Sequence, residues 1–100
     1  MVIEHCGKTY EVKPYKASYM NGNTAVILMC EDGQEFGMLT VNIHDLEDGY
    51  AYIDTNNLPG AVDFLEDSGL GVFLGTYGQS GFCTYPMYYL FTDEIEEWSE

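Results

Sequence analysis

A chain of 100 residues that is 46% hydrophobic and 15% aromatic can build one folded domain, expected to span 1–100, and is too apolar for an acidic disordered tail. Its 17 acidic residues face three lysines and no arginine, a net charge of −14, and Lys8, Lys13 and Lys16 all lie in the first sixteen residues. The fifteen carboxylates from Ala17 to Glu100 run without a basic side chain, which argues against direct contact with nucleic acid or anionic lipid and for basic partners or cations.

In chain order, three turn signals punctuate the first half: Asn21-Gly22, Asp32-Gly33 and Asp48-Gly49. Asn-Gly and Asp-Gly suit hairpins because both residues tolerate positive φ. Strands are expected at about 9–20, 24–31, 35–43 and 50–54, in a meander. The second, AVILMC at its heart, is apolar without alternation, as in a central strand covered on both faces. In the third, Leu39, Val41 and Ile43 alternate with Thr40, Asn42 and His44, so a single inward face is expected.

The period changes in DTNNLPGAVDFLEDSGL. Pro59 suits a first helical turn, Leu58, Ala61, Val62 and Leu65 recur at helical spacing, and Gly69 is a left-handed stop with Leu70 placed to touch Leu65. Asn56 and Asn57 occupy the corner before it, where asparagine caps and tolerates left-handed backbone. Asp63, Glu66 and Asp67 should fall on the outer face of this short helix.

The segment GTYGQSGFCTYP reads as a glycine-shaped loop. From 83 to 91, Cys83, Tyr85, Met87, Tyr89 and Phe91 alternate with Thr84, Pro86, Tyr88 and Leu90, which predicts a strand with the cysteine row inward. Pro86 lacks a backbone donor and should push that strand to an edge or a bulge. TDEIEEWSE then predicts an acidic helical turn capped by Thr92 and docked through Ile95 and Trp98.

Catalytic motifs are weak. GQSGF is not the G-x-S-x-G elbow, and Cys83 would need His5 or His44 as its base. EDG, HDLEDG and DTNN offer hard oxygen ligands, yet none has the spacing of an EF-hand loop, and no Cys/His set suits zinc. Accordingly no catalytic residue, cofactor or dedicated metal site is assigned. The longest apolar run is six residues, AVILMC, and Cys6, Cys30 and Cys83 cannot all pair within one chain, so a reduced cytoplasmic setting is expected.

LTVNIHD, AYIDTNNLPGAVDFLEDSGL and GQSGFCTYPMYYLF together resemble a small uncharacterised family, a domain of unknown function carried on plasmids, phages and conjugative elements of gut bacteria. The resemblance covers residues 25–91, through Thr40-Val41-Asn42, Asp54 to Asn57 and Ser80 to Pro86. It carries over no catalytic residue. A place on mobile elements implies a protein that disarms host defences.

The expected fold is therefore α+β: an antiparallel β-meander of about five strands with one short α-helix packed on it and a short acidic C-terminal helical turn. The expected function is a non-enzymatic inhibitor that imitates nucleic acid. Asp45, Glu47 and Asp48, Asp63, Glu66 and Asp67, and Asp93, Glu94, Glu96 and Glu97 would meet a basic surface of a host nuclease, of anti-CRISPR or antirestriction type, in a bacterial cytoplasm. Tyr77 would add rigid contact area, with Tyr50, Tyr52 and Tyr88 where exposed. Alternatives are an accessory interaction module of a mobile element that binds through the strand near Pro86, and a small thiol enzyme using Cys83.

Overall fold

The computed structural model describes residues 1–99. Val2–His5 (β1) reverses through Cys6 and Gly7, both at positive φ (52° and 79°), and pairs antiparallel with Lys8–Ser18 (β2). The Asn21-Gly22 and Asp32-Gly33 turns follow, with Gly22 at φ 89° and Gly33 at φ 87°, the backbone for which glycine is suited. They set β2, Thr24–Cys30 (β3) and Glu35–Met38 (β4) side by side in chain order. In β3, Ala25, Val26 and Leu28 are buried while Ile27 and Met29 are only half-buried, so this central strand has one fully covered face.

At Leu39 the chain leaves this sheet. The Leu39 N–H donates to the Val26 carbonyl and the Leu39 carbonyl accepts from the Asp54 N–H, both at 2.9 Å, so one residue bridges two sheets. Thr40 holds the crossing: its hydroxyl oxygen accepts from the Val26 N–H at 3.1 Å and lies 2.9 Å from the Tyr19 hydroxyl. Beyond it, Thr40–Val41 (β5), Tyr50–Ile53 (β6), Gly71–Ser80 (β7) and Cys83–Leu90 (β8) form a second antiparallel sheet in the order β5-β6-β8-β7. The single meander and the continuous strand at 35–43 are thus corrected. Leu39 enters the main core, whereas Val41 and Ile43 pack with Tyr52, Tyr85, Cys83 and Met87 in a smaller cluster on the other face of the second sheet.

Ala61–Ser68 (α1) closes the main core. The corner before it is tied by Asp54, whose carboxylate accepts from the Asn57 N–H at 3.2 Å and its side-chain amide at 2.9 Å. Gly69 ends the helix at φ 69°, its N–H reaching the Leu65 carbonyl at 3.0 Å. The core joins Ile3, Val12, Val26 and Leu28 of the first sheet to Ala51, Ile53, Tyr88 and Leu90 of the second and to Phe64 and Leu65 of α1. Each large apolar side chain so buried stabilises by about 1.5–3 kcal/mol relative to exposure.

Three further expectations change. GTYGQS belongs to β7, not to a loop. In β8 it is Tyr88 and Leu90 that face the main core, and the cysteine row lies on the opposite face, because both rows are apolar and alternation alone cannot choose between them. β8 is also an inner strand. The Leu90 N–H bonds the Gly49 carbonyl at 2.7 Å, so even-numbered residues of β8 aim their backbone groups towards β6. Pro86 falls just past the last β6 pair, Tyr52 with Met87, so its missing donor leaves no ladder bond unmade.

The chain end differs as well. Thr92–Glu94 form one 3-10 turn with no side-chain cap, and Glu96–Glu97 (β9) then extend in parallel beside Tyr15 and Lys16 of β2. Extension lets the tail satisfy backbone groups on the β2 edge: the Lys16 carbonyl accepts from the Trp98 N–H at 2.8 Å.

Candidate functional site

The acidic residues expected to meet a partner sit on three separate supports. Asp45, Glu47 and Asp48 ride on the loop between β5 and β6, and a buried asparagine fixes that loop. Asn23, 4% exposed, donates its amide to the Asn42 side-chain oxygen at 2.8 Å and to the His44 carbonyl at 2.6 Å. Its own side-chain oxygen accepts from the Leu46 N–H at 2.9 Å. Asn21 adds a bond to Asp45 at 3.1 Å, and Thr24 accepts from the Gly49 N–H at 3.2 Å. The three carboxylates therefore project from an ordered frame. In the sequence, Asn23 carries no signal beyond its place beside a hairpin turn.

The second support is the chain end. Lys13 pairs with Glu96 at 3.2 Å, and the hydrogen bond and charge of that carboxylate raise the lysine pKa above its usual 10.5. Lys16 donates to the Thr92 carbonyl at 2.7 Å. Trp98 meets Tyr15 edge-on, with ring centroids 5.5 Å apart. Two of the three lysines thus hold the acidic tail in place, which commits Glu96 to an internal partner and leaves Asp93, Glu94 and Glu97 exposed without an ion-pair partner among the described residues. Asp48 and Glu97 line the same open cleft, about 480 Å³, with Lys16, Thr92 and Trp98. One carboxylate from each of two predicted clusters thus lines it.

The third support is α1, whose outer face carries Asp63, Glu66 and Asp67, all exposed. Glu66 opens onto a groove of about 310 Å³ between the helix and the second sheet, floored by Phe73, Tyr77 and Tyr88. Phe73 lies 5.4 Å from Tyr77 and 5.7 Å from Tyr88 between ring centroids. Burial chiefly, then the charges of Glu66, Tyr77 and Asp63, push the Tyr88 phenol above its usual 10.0. Tyr77 is 59% exposed and Phe73 41%, on a sheet edge that also exposes Val72 and Leu74. Tyr77 lies with the helix cluster rather than with the cleft, and Tyr88 is buried beneath it. Of the other tyrosines, Tyr52 is buried, and Tyr50 stacks edge-on with Tyr89.

Among the described residues, the ion pairs are Lys13 with Glu96 and the N-terminal amine with Glu11 at 3.3 Å. Cys83 is half-buried in the smaller cluster, and neither histidine forms a hydrogen bond with it. His5 packs against Phe36 with its Nδ1 buried and unpartnered, and His44 packs against Tyr52. No group of three or more His, Cys, Asp or Glu side chains is placed to hold a metal ion among the described residues. No described helix is long and apolar enough to cross a membrane.

A family model for a domain of unknown function (DUF4313) matches residues 12–100, so the chain belongs to that family. No curated protein and no solved structure matches it.

Proposed function

We propose that this member of a family of unknown function is a non-enzymatic inhibitor that lays its carboxylates against the basic, nucleic-acid-binding surface of another protein. The observation that carries the reading is the state of the charges. Asp45, Glu47, Asp48, Asp63, Glu66, Asp67, Asp93, Glu94 and Glu97 are exposed and, among the described residues, take no part in an ion pair. Unpaired like charges raise the free energy of the folded chain and gain an outlet only when a cationic surface meets them. Their supports are ordered, and an ordered array loses less entropy on binding than a flexible acidic tail would.

A protein that grips phosphates presents lysine and arginine at regular intervals, and fixed carboxylates can occupy that groove in place of the phosphates. The resemblance to proteins carried on mobile elements supports a host nuclease as the partner, of the CRISPR or restriction kind, met in a bacterial cytoplasm. Three free cysteines suit that reducing compartment.

The test is capture from lysates of cells that express defence nucleases, followed by DNA cleavage with the captured enzyme. Wild-type protein should retain a nuclease and block its cleavage, and the triple variant Asp45→Lys, Glu47→Lys, Asp48→Lys should do neither. Retention that survives the charge reversal would contradict the reading.

A further inference from the structure

We infer that the free edge of β7, with the aromatic groove beside it, receives an extended basic segment of the partner by strand addition. The inference rests on the reading above in taking the partner to be basic, and adds where and how one of its segments binds.

Three observations converge. First, β7 ends the second sheet. Because even-numbered residues of β8 point towards β6, their partners on β7, Gly71, Phe73 and Tyr77, turn their backbone N–H and C=O groups outward, and alternation adds Gln79. The bulge at 74–76 divides this row into two short stretches, Gly71 to Phe73 and Tyr77 to Gln79, and each unpaired stretch is a template for another strand. Second, that edge is apolar where a protected edge would carry charge: Val72, Phe73, Leu74 and Tyr77 are exposed and β7 has no charged side chain. Phe73 and Tyr77 supply the pocket for alternate side chains of an added strand. Third, the rim is anionic. Glu66 lines the groove, Asp63 lies close enough to perturb Tyr88, and no basic residue lines it.

Charge complementarity selects the occupant. A second copy of this chain would bring another −14 against the same rim, whereas a strand alternating lysine or arginine with apolar residues matches both rim and floor. The inference therefore commits to a basic extended segment of a different protein.

The experiment uses the isotope-labelled full chain and two short peptides of equal charge, one alternating lysine with valine and one alternating lysine with glycine. At low salt the lysine–valine peptide should shift the amide signals of Gly71, Phe73, Tyr77 and Gln79, and bind about tenfold tighter than the lysine–glycine peptide. Tyr77→Ala should remove that advantage while lowering the melting temperature only slightly, since the ring is mostly exposed and its packing is the edge-on contact with Phe73. Equal affinities, with shifts gathered around Asp48 and Glu97, would overturn the edge while leaving the acidic-surface reading intact. Failure of both peptides to bind would contradict the acidic-surface reading itself. A dimer that forms through β7 would overturn the choice of occupant.

Discussion

Phe73 and Tyr77 stand with ring centroids 5.4 Å apart because Leu74, Gly75 and Thr76 bulge out of β7. The bulge restores register so that Phe73 faces Tyr88 and Tyr77 faces Pro86, putting both rings on the helix side of the sheet. Gly75 turns it at φ 77° with open space around its Cα. Gly75→Val should cost about 1–2 kcal/mol, because a branched side chain resists that backbone rather than because it clashes. Urea denaturation measures the loss, and the magnetisation transfer between the Phe73 and Tyr77 rings should weaken with it. Unchanged stability would mean that the bulge adopts another backbone without penalty.

Asn23 should matter more than its size implies. Asn23→Ala removes two donated bonds and one accepted bond from a buried position, leaving the His44 carbonyl and the Leu46 N–H to find other partners. A loss of about 2–3 kcal/mol is expected. Faster amide exchange should be confined to residues 42–49 and the turn beneath them. A global change in exchange with no local excess would count against the loop being fixed by this residue.

Trp98, the sole tryptophan, reports whether the acidic tail is docked. Lys16→Met should release the Thr92 carbonyl, speed exchange of the Trp98 N–H and red-shift the indole emission, while the core signals of Val26, Phe64 and Leu90 stay in place. Lys13→Gln should do less, because the Lys13–Glu96 pair is exposed on both sides and screened by salt. Equal effects of the two variants would contradict this order.

Alkaline pH should destabilise the fold through its tyrosines. Burial is the main cause that raises both Tyr19 and Tyr88 above the usual phenol value of 10.0. A raised folded-state value means that the unfolded chain releases its proton first. Stability from these groups is therefore complete below about pH 10 and declines above it. Lys13, also raised, acts in the same direction. Urea midpoints measured between pH 8 and 11 should fall at the upper end, and Tyr88→Phe should flatten part of that fall. A midpoint that rises with pH through this range would contradict the assignment.

Legibility followed the turns. Asn21-Gly22, Asp32-Gly33 and the Gly69 stop were readable because each residue type meets a local backbone demand that needs no distant partner. The crossing at Leu39 was not, since its cause is a pair of long-range bonds to Val26 and Asp54 and nothing in LTVNI marks it. β7 was hidden because its bulge breaks the two-residue period and its glycines read as loop. In β8, apolar side chains on both faces made the cysteine row read as inward, whereas the structure puts Tyr88 and Leu90 in the main core. The charge clusters themselves were plain in the sequence. That Lys13 and Lys16 hold the tail, and that Asp48 and Glu97 face one cleft, depends on β9 pairing with β2 across most of the chain.

The most direct measurement of the central claim is the association rate of this protein with a purified, inhibited defence nuclease, followed by stopped flow from low to physiological ionic strength. If exposed, unpaired carboxylates carry recognition, the rate should fall by about tenfold or more over that range, and excess duplex DNA should compete for the same site. A rate indifferent to salt, or binding undisturbed by the duplex, would contradict it.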